Sequence, residues 1–348
     1  MLIDCDVHHN RAHDSDIAKY LPEPWRSEIL KYGERKLESG ILTQLGGMRW
    51  DSVPPNGGRP GSDYEFMKEQ LLDKYGHTYA ILTGTGNTGG VPDPDYAAAV
   101  VSAYNDYTIN EWLPKDKRFK TVIVVALQDP LLAAREIDRL GDHPDVVMVW
   151  VTIATNIPFG HRYYYPIYEA AERKGLPIGI HPCQGGMMFA QASPTGAGVP
   201  RTYAEWHTGV SQVYMGHLTS ILLEGVFERF PRLKFVFVEC GFSWLPHLLW
   251  RLDSHYKGLR QEAPLLKRLP SEYVRDHIRF TTQPMEEPKN PKHLMDMFEM
   301  IDGENMLMYA SDYPHWDFDE PSVLPGKLSE SAKRKILYEN ARDFFNLK

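Results

Sequence analysis

Eight short apolar runs, separated largely by helical sequence and several ending in a titratable residue, constrain the fold of this chain more than any other feature. The first is the opening stretch from Leu2 to His8. The others are Thr78 to Thr83, Thr121 to Leu127, Val146 to Thr152, Leu176 to His181, Lys234 to Glu239, Ile278 to Gln283 and Met306 to Asp312. Runs of this length, rich in Val, Ile and Phe, read as buried strands. Between them, helices are predicted over Asp16 to Tyr32, Asp63 to Tyr75, Pro92 to Pro114, Pro130 to Leu140, Tyr165 to Lys174, Thr202 to Phe230 and Ser329 to Phe345. Asp93 or Asp95 is positioned to cap the third of these, and Gly175 to close the fifth. Strands joined by helices pair in parallel, and eight such units predict an α/β fold, a (β/α)8 TIM barrel with long insertions in the βα loops, spanning 1–348 as one domain. A doubly wound sheet is the alternative, but no Gly-rich phosphate loop follows the first strand.

A barrel brings every strand's C-terminal end to one face, which makes the chemistry of those ends decisive. In the first strand Asp4, Asp6 and His8 alternate, so they share a face. His181 ends the fifth strand, Glu239 the sixth and Asp312 the eighth, and strand alternation puts Glu239 on the face of Phe235 and Phe237. Two imidazoles and three carboxylates meeting at one mouth are costly to bury unless a cation neutralises them. Nitrogen and oxygen ligands without an obligatory thiolate suit a divalent zinc, manganese or iron ion. His315, three residues after Asp312, is a further candidate ligand. His207 and His217 lie in helical sequence and are expected to pack or to support ligands, and His161, His247 and His255 read as surface or packing residues. Tyr163, Tyr164 and Tyr165 read as core.

The net charge of −8 and a pI near 6.0, with no basic block, argue against nucleic-acid and anionic-membrane partners. No apolar run is long enough to span a bilayer, and no leader precedes the first strand, so a cytoplasmic location is expected. The cysteines, Cys5, Cys183 and Cys240, are odd in number and make no disulfide framework; each reads as a small buried residue at a strand end. The loops Ser39 to Ser62 and Cys183 to Pro200 are long enough that at least one is expected to cover the mouth, with help from a neighbouring subunit of a homo- or hetero-oligomer.

Four motifs carry a resemblance: Asp-Val-His at 6–8, Gly-Leu-Pro-Ile-Gly-Ile-His-Pro at 175–182, Gly-Val-Phe-Glu-Arg-Phe-Pro-Arg-Leu-Lys at 225–234, and Tyr-Ala-Ser-Asp-Tyr-Pro-His at 309–315. On these the chain resembles the amidohydrolase-related family, in the branch of aminocarboxymuconate semialdehyde decarboxylase and the resorcylate-type decarboxylases. The resemblance implies that Asp6 and His8 are the first-strand ligand pair, His181 the fifth-strand ligand and Asp312 the eighth-strand carboxylate. It departs from the family at Asp6, where His or Glu is common, and at Glu239, where the decarboxylases carry a catalytic His. The function implied is metal-dependent hydrolysis or carboxy-lyase chemistry on a small carboxylated substrate, using metal-activated water, with Asp312, Glu239 and His181 as catalytic residues. The Glu239 ending also resembles a smaller branch of oxygen-dependent hydroxylases acting on a small acid or amino acid. That reading implies a dinuclear Fe or Mn/Fe centre bridged by Glu239, with His315, His9 and His217 as extra ligands and an external redox partner. A non-catalytic subunit paired with a catalytic paralogue is the third reading.

Overall fold

The computed structural model describes residues 1–35, 47–84, 88–183, 187 and 190–348. Its eight strands are β1 Ile3–Val7, β2 Tyr79–Leu82, β3 Phe119–Val124, β4 Val146–Thr152, β5 Ile178–His181, β6 Phe235–Phe237, β7 Ile278–Thr281 and β8 Leu307–Met308. They form one sheet in chain order, every neighbouring pair parallel. Beyond the short β8, single hydrogen bonds join the last strand to the first: Cys5 N–H donates to the Tyr309 carbonyl (3.0 Å), Asp312 N–H to Asp6 (3.1 Å) and His8 N–H to Tyr313 (2.7 Å). The fold is therefore the predicted (β/α)8 barrel.

Register settles which side chains face inward. Gly179 lies beside Trp150 and Val236, so Trp150, Val236 and the next-but-one residue, His181, share the interior face. Phe235 and Phe237 consequently point outward. Phe235 meets Tyr168 and Phe227 at ring distances of 5.6 and 5.8 Å, and Phe237 meets Tyr214 at 6.0 Å, all from the helical layer. This corrects the expectation that Phe235, Phe237 and Glu239 share one inward face. Glu239 reaches the mouth because its backbone leaves the strand with φ +51°, in the left-handed region that turns the side chain inward.

The helices follow local sequence chemistry. Asp93 accepts from the backbone N–H groups of Asp95 and Tyr96 (both 3.1 Å) and caps Pro94–Tyr107, Asp129 caps Pro130–Leu140, and Gly175 closes Tyr165–Lys174. The helix expected over Asp16 to Tyr32 is instead a 3-10 segment, Asp14–Tyr20, and a separate helix, Trp25–Tyr32. Pro22 and Pro24 between them lack the N–H groups that a continuous helix needs. Thr202 to Phe230 is likewise divided into Tyr203–Gly209, Ser211–Leu223 and Val226–Arg229. Three outer helices that the sequence analysis left unassigned, Leu245–Gly258, Pro270–His277 and Pro291–Met300, surround the β6–β8 side. No helix among the described residues is long and apolar enough to cross a membrane.

Parts of both long loops, residues 39–46, 184–186 and 188–189, lie outside the described residues. From Gly47 onward the first loop does reach the mouth: Met48 pairs antiparallel with His315, and Arg49 N–H donates to the Pro314 carbonyl (2.9 Å).

Gly179 makes room for the support of His181. A Cβ there would come within 2.6 Å of Met148 Sδ and 2.8 Å of the Trp150 ring, and that ring packs 4.9 Å from the His181 ring. Gly179→Ala is therefore expected to cost about 1–3 kcal/mol by overpacking, read from denaturant unfolding. Unchanged stability would contradict this packing.

Candidate metal centre

Asp6, His8, His181, Glu239 and Asp312 each offer one ligand atom, and these atoms all lie within 4.8 Å of one another. All five side chains are buried. Asp6 projects from β1, with Oδ1 accepting a 2.6 Å hydrogen bond from the Thr83 hydroxyl. His8 follows directly; its Nδ1 lies 3.3 Å from the Gly84 carbonyl, a contact only an Nδ1–H can make, which turns Nε2 toward the carboxylates. That nitrogen sits 3.3 Å from Asp6 Oδ1 and 3.0 Å from Asp312 Oδ1. His181 Nε2 lies 2.8 Å from Glu239 Oε2 and 3.6 Å from Asp6 Oδ2. Glu239 is anchored by its own N–H, which donates to Thr281 Oγ1 (3.1 Å). Asp312, also left-handed at φ +58°, is held by Gln283 Nε2 at 3.2 Å and by His315 Nδ1 at 2.6 Å.

Asp6 Oδ2, His8 Nε2, His181 Nε2 and Glu239 Oε2 are buried without a hydrogen-bond partner. Four such atoms facing one another would be expensive unless something binds them together. Imidazole nitrogens and carboxylate oxygens in this number fit a divalent zinc, manganese or iron ion, and the donor set includes no thiolate.

Electrostatics report the same frustration. Burial opposes ionisation of Asp6 and Glu239, yet the facing imidazoles outweigh it and hold both carboxyls well below their usual range. Burial likewise opposes charge on the histidines, but Asp6 and Asp312 push His8 well above its ordinary value, and Asp6 and Glu239 push His181 up to about 9. With protein groups alone, the positive charge needed at the mouth has to come from protonated imidazoles.

A second set adjoins the first and shares Glu239 with it: His207, Glu239 and Asp317. His207 Nε2 is 3.4 Å from Glu239 Oε1 and 3.4 Å from Asp317 Oδ2, and Gln283 Nε2 links Asp317 Oδ2 (2.9 Å) to Asp312. Burial, followed by repulsion from Asp312 and Glu239, pushes Asp317 up to about 7. From sequence His207 reads as a packing or supporting residue, and Asp317 and Gln283 carry no assigned role. Asp317 could have been found as the second carboxylate of the loop that carries Asp312, and Gln283 as the end of the seventh strand. His207 comes from a helix in an insertion, where no strand-end rule applies.

The other histidines lie apart. His9 Nε2 contacts Thr108 Oγ1 (2.7 Å) between Tyr104 and Trp112, and burial lowers it to about 3. His217 accepts from Phe159 N–H (3.3 Å) against the Phe159 ring and is lowered by burial to about 4. Neither belongs to the two ligand sets. His315 stays close, its ring 4.6 Å from that of His8, but its Nδ1 is engaged by Asp312.

A model of the amidohydrolase family matches residues 3–347. The chain belongs to the amidohydrolase family. Among its amidohydrolase relatives, gamma-resorcylate decarboxylase of Polaromonas sp. strain JS666 is 23% identical over 300 residues, covering 82% of this chain and 88% of the relative. The 2-amino-3-carboxymuconate-6-semialdehyde decarboxylase of Dictyostelium discoideum is 25% identical over 191 residues, covering 53% and 48%. Among solved structures, 5-carboxyvanillate decarboxylase from Sphingomonas paucimobilis superposes with a TM-score of 0.70 at 21% identity, covering 100% of this chain and 99% of that one. Dihydroxybenzoic acid decarboxylase from Polaromonas sp. JS666, solved with bound manganese and the inhibitor 2-nitroresorcinol, gives 0.68 at 19% identity, covering 99% and 97%.

His181→Ala is expected to weaken manganese binding by at least the roughly 10–100-fold that loss of even a supporting residue causes, with the barrel's circular dichroism retained. Unaltered affinity in a calorimetric titration would remove His181 from the ligand set.

Proposed function

We infer that the chain is a metal-dependent carboxy-lyase that removes a carboxylate from a small aromatic acid. The observation that carries this reading is the group of four buried donor atoms at the barrel mouth that make no hydrogen bond and face only one another and Asp312, beside a cavity of about 690 Å³. A cavity of this size accommodates a small-molecule substrate. Asp6, His8, His181, Glu239 and Asp312 would hold the cation. When bound there, a divalent ion supplies Lewis acidity toward substrate oxygens, stabilising the negative charge that develops as the bond to the departing carboxylate breaks. The decarboxylase names of the relatives support the reaction class, and the manganese in one related structure supports the metal.

Decarboxylation leaves a carbanionic carbon that must take up a proton, and the carboxylate of Glu239 cannot donate one as an imidazolium does. His207 supplies that group. It lines the cavity, and although burial opposes its charge, Glu239 and Asp317 raise its pKa above the ordinary value. The two carboxylates thus favour the protonated ring, and His207 delivers its Nε2 proton to the ring carbon as carbon dioxide leaves. Asp312 holds His315 through the 2.6 Å contact and provides a second route for proton movement.

A second reading is favoured by the ligand set of His207, Glu239 and Asp317. If these residues held a second ion, Glu239 would be common to both sites, and the two metals would supply oxygen activation, making the enzyme an oxygen-dependent hydroxylase that draws electrons from a redox partner. One variant separates the readings. As a proton donor, His207→Gln should keep the metal content and lower carbon dioxide release from hydroxybenzoates such as 2,6-dihydroxybenzoate by a factor on the order of 10² to 10⁴. Loss of one metal ion per chain in this variant, from a parent that releases no carbon dioxide, would instead establish the dinuclear reading. Turnover of either kind excludes a purely supporting subunit.

Glu239→Gln adds an independent check, because it removes the charge common to both sets. A single-metal site keeps its stoichiometry in the variant, whereas a bridged site loses an ion, as elemental analysis would show.

A further inference from the structure

We propose that the cavity beside the metal centre selects a substrate that carries a cationic nitrogen, an ammonium or amidinium group, held by Glu286 with Asp317 and Asp319 while the acid end of the same molecule faces the metal ligands. This names the substrate class for the reading above and rests on that reading's placement of the substrate in this cavity.

Carboxylates wall the cavity from three connections: Glu239 after β6, Glu286 and Glu287 after β7, and Asp317 and Asp319 after β8. Among the described residues, no lysine or arginine lines it. A pocket for a simple anionic acid gains from a guanidinium or ammonium partner, and a wall of negative charge repels such a ligand. Metal binding does not account for the wall, since Glu286, Glu287 and Asp319 belong to neither ligand set.

Two atoms in this wall lack partners. Asp317, with a side chain only 10% exposed, leaves Oδ1 buried and without a hydrogen bond, and Glu286 leaves Oε2 in the same condition. The carboxylates that line the cavity offer charge-assisted hydrogen bonds to a cationic nitrogen that arrives with the ligand. Glu286 is also fixed in place. Its Oε1 accepts from the Ser243 hydroxyl (2.6 Å) and from the N–H groups of Ser243 (3.1 Å) and Phe242 (3.2 Å). Gly241, at φ +62°, permits this approach, since a Cβ there would stand 2.7 Å from Glu286 Oε1. The remaining wall includes Trp244, Trp316 and Phe318, aromatic faces that attract cations and give a flat ring a surface to lie on.

The test is a calorimetric titration of the full chain, with and without added manganese, using benzoate, benzylamine and 4-(aminomethyl)benzoate at pH 7.5. The zwitterion 4-(aminomethyl)benzoate is expected to bind roughly 10-fold or more tightly than benzoate, the advantage of a charge-assisted hydrogen bond, and benzylamine to bind even without metal. Glu286→Gln should abolish most of that preference while leaving the Kd of benzoate unchanged or lower. Benzoate binding as tightly as 4-(aminomethyl)benzoate, or a preference that survives Glu286→Gln, would overturn the proposal. The wild-type order of affinities decides even if the variant does not fold. Ammonium selectivity without carbon dioxide release from any acid would refute the carboxy-lyase reading and leave this one standing. Carbon dioxide release without ammonium selectivity would refute this one alone.

Discussion

Everything at the barrel mouth depends on compensating buried negative charge. Asp6 and Asp312 are fully buried and Glu239 nearly so, within 4.8 Å of two imidazoles. Carboxylates in such a place cannot all ionise without positive charge among them, and desolvation makes each unpaired one costly. The protein alone can answer only by protonating His8 and His181, which occupies the nitrogens best suited to bind a metal. A divalent cation resolves the conflict by satisfying carboxylate and imidazole together. That is why the donor atoms without hydrogen bonds are the ones that face each other.

The fold assembles this costly arrangement on a rigid frame. The candidate ligands come from β1, β5 and the ends of β6 and β8, elements distant in sequence that the barrel brings to one mouth. Two of them, Glu239 and Asp312, take left-handed backbone angles that disfavour ordinary side chains. Such strain persists where surrounding structure imposes it, here through the hydrogen bonds from Glu239 N–H to Thr281 and from Asp312 N–H to the Asp6 carbonyl. Trp150 beneath His181 and the Gly84 carbonyl beside His8 then fix both rings, so orientation is set before any ligand arrives.

Much of this was legible in the sequence because strand alternation has an unvarying period of two. Asp6, His8, His181 and Asp312 stand at strand ends, and a barrel leaves strand ends one place to meet. Glu239 is different: alternation sends it outward with Phe235 and Phe237, and a backbone turn that no periodicity encodes brings it back. His207, Asp317 and Gln283 escaped for a related reason. Their approach depends on the path of an insertion helix and of the loop after β8, which are set by tertiary packing and not by local pattern. The three unassigned helices do carry proline in their first turns, at Pro246, Pro270 and Pro291, a start signal that short, weakly patterned segments make easy to overlook.

A metal ion at the mouth of the barrel would show itself in anomalous diffraction from crystals of the protein grown with manganese and measured at the manganese absorption edge. A strong anomalous peak bounded by His8 Nε2, His181 Nε2 and the Asp6 carboxylate is expected. Absence of a peak there, with an intact barrel and manganese present in the crystal, would contradict the metal site.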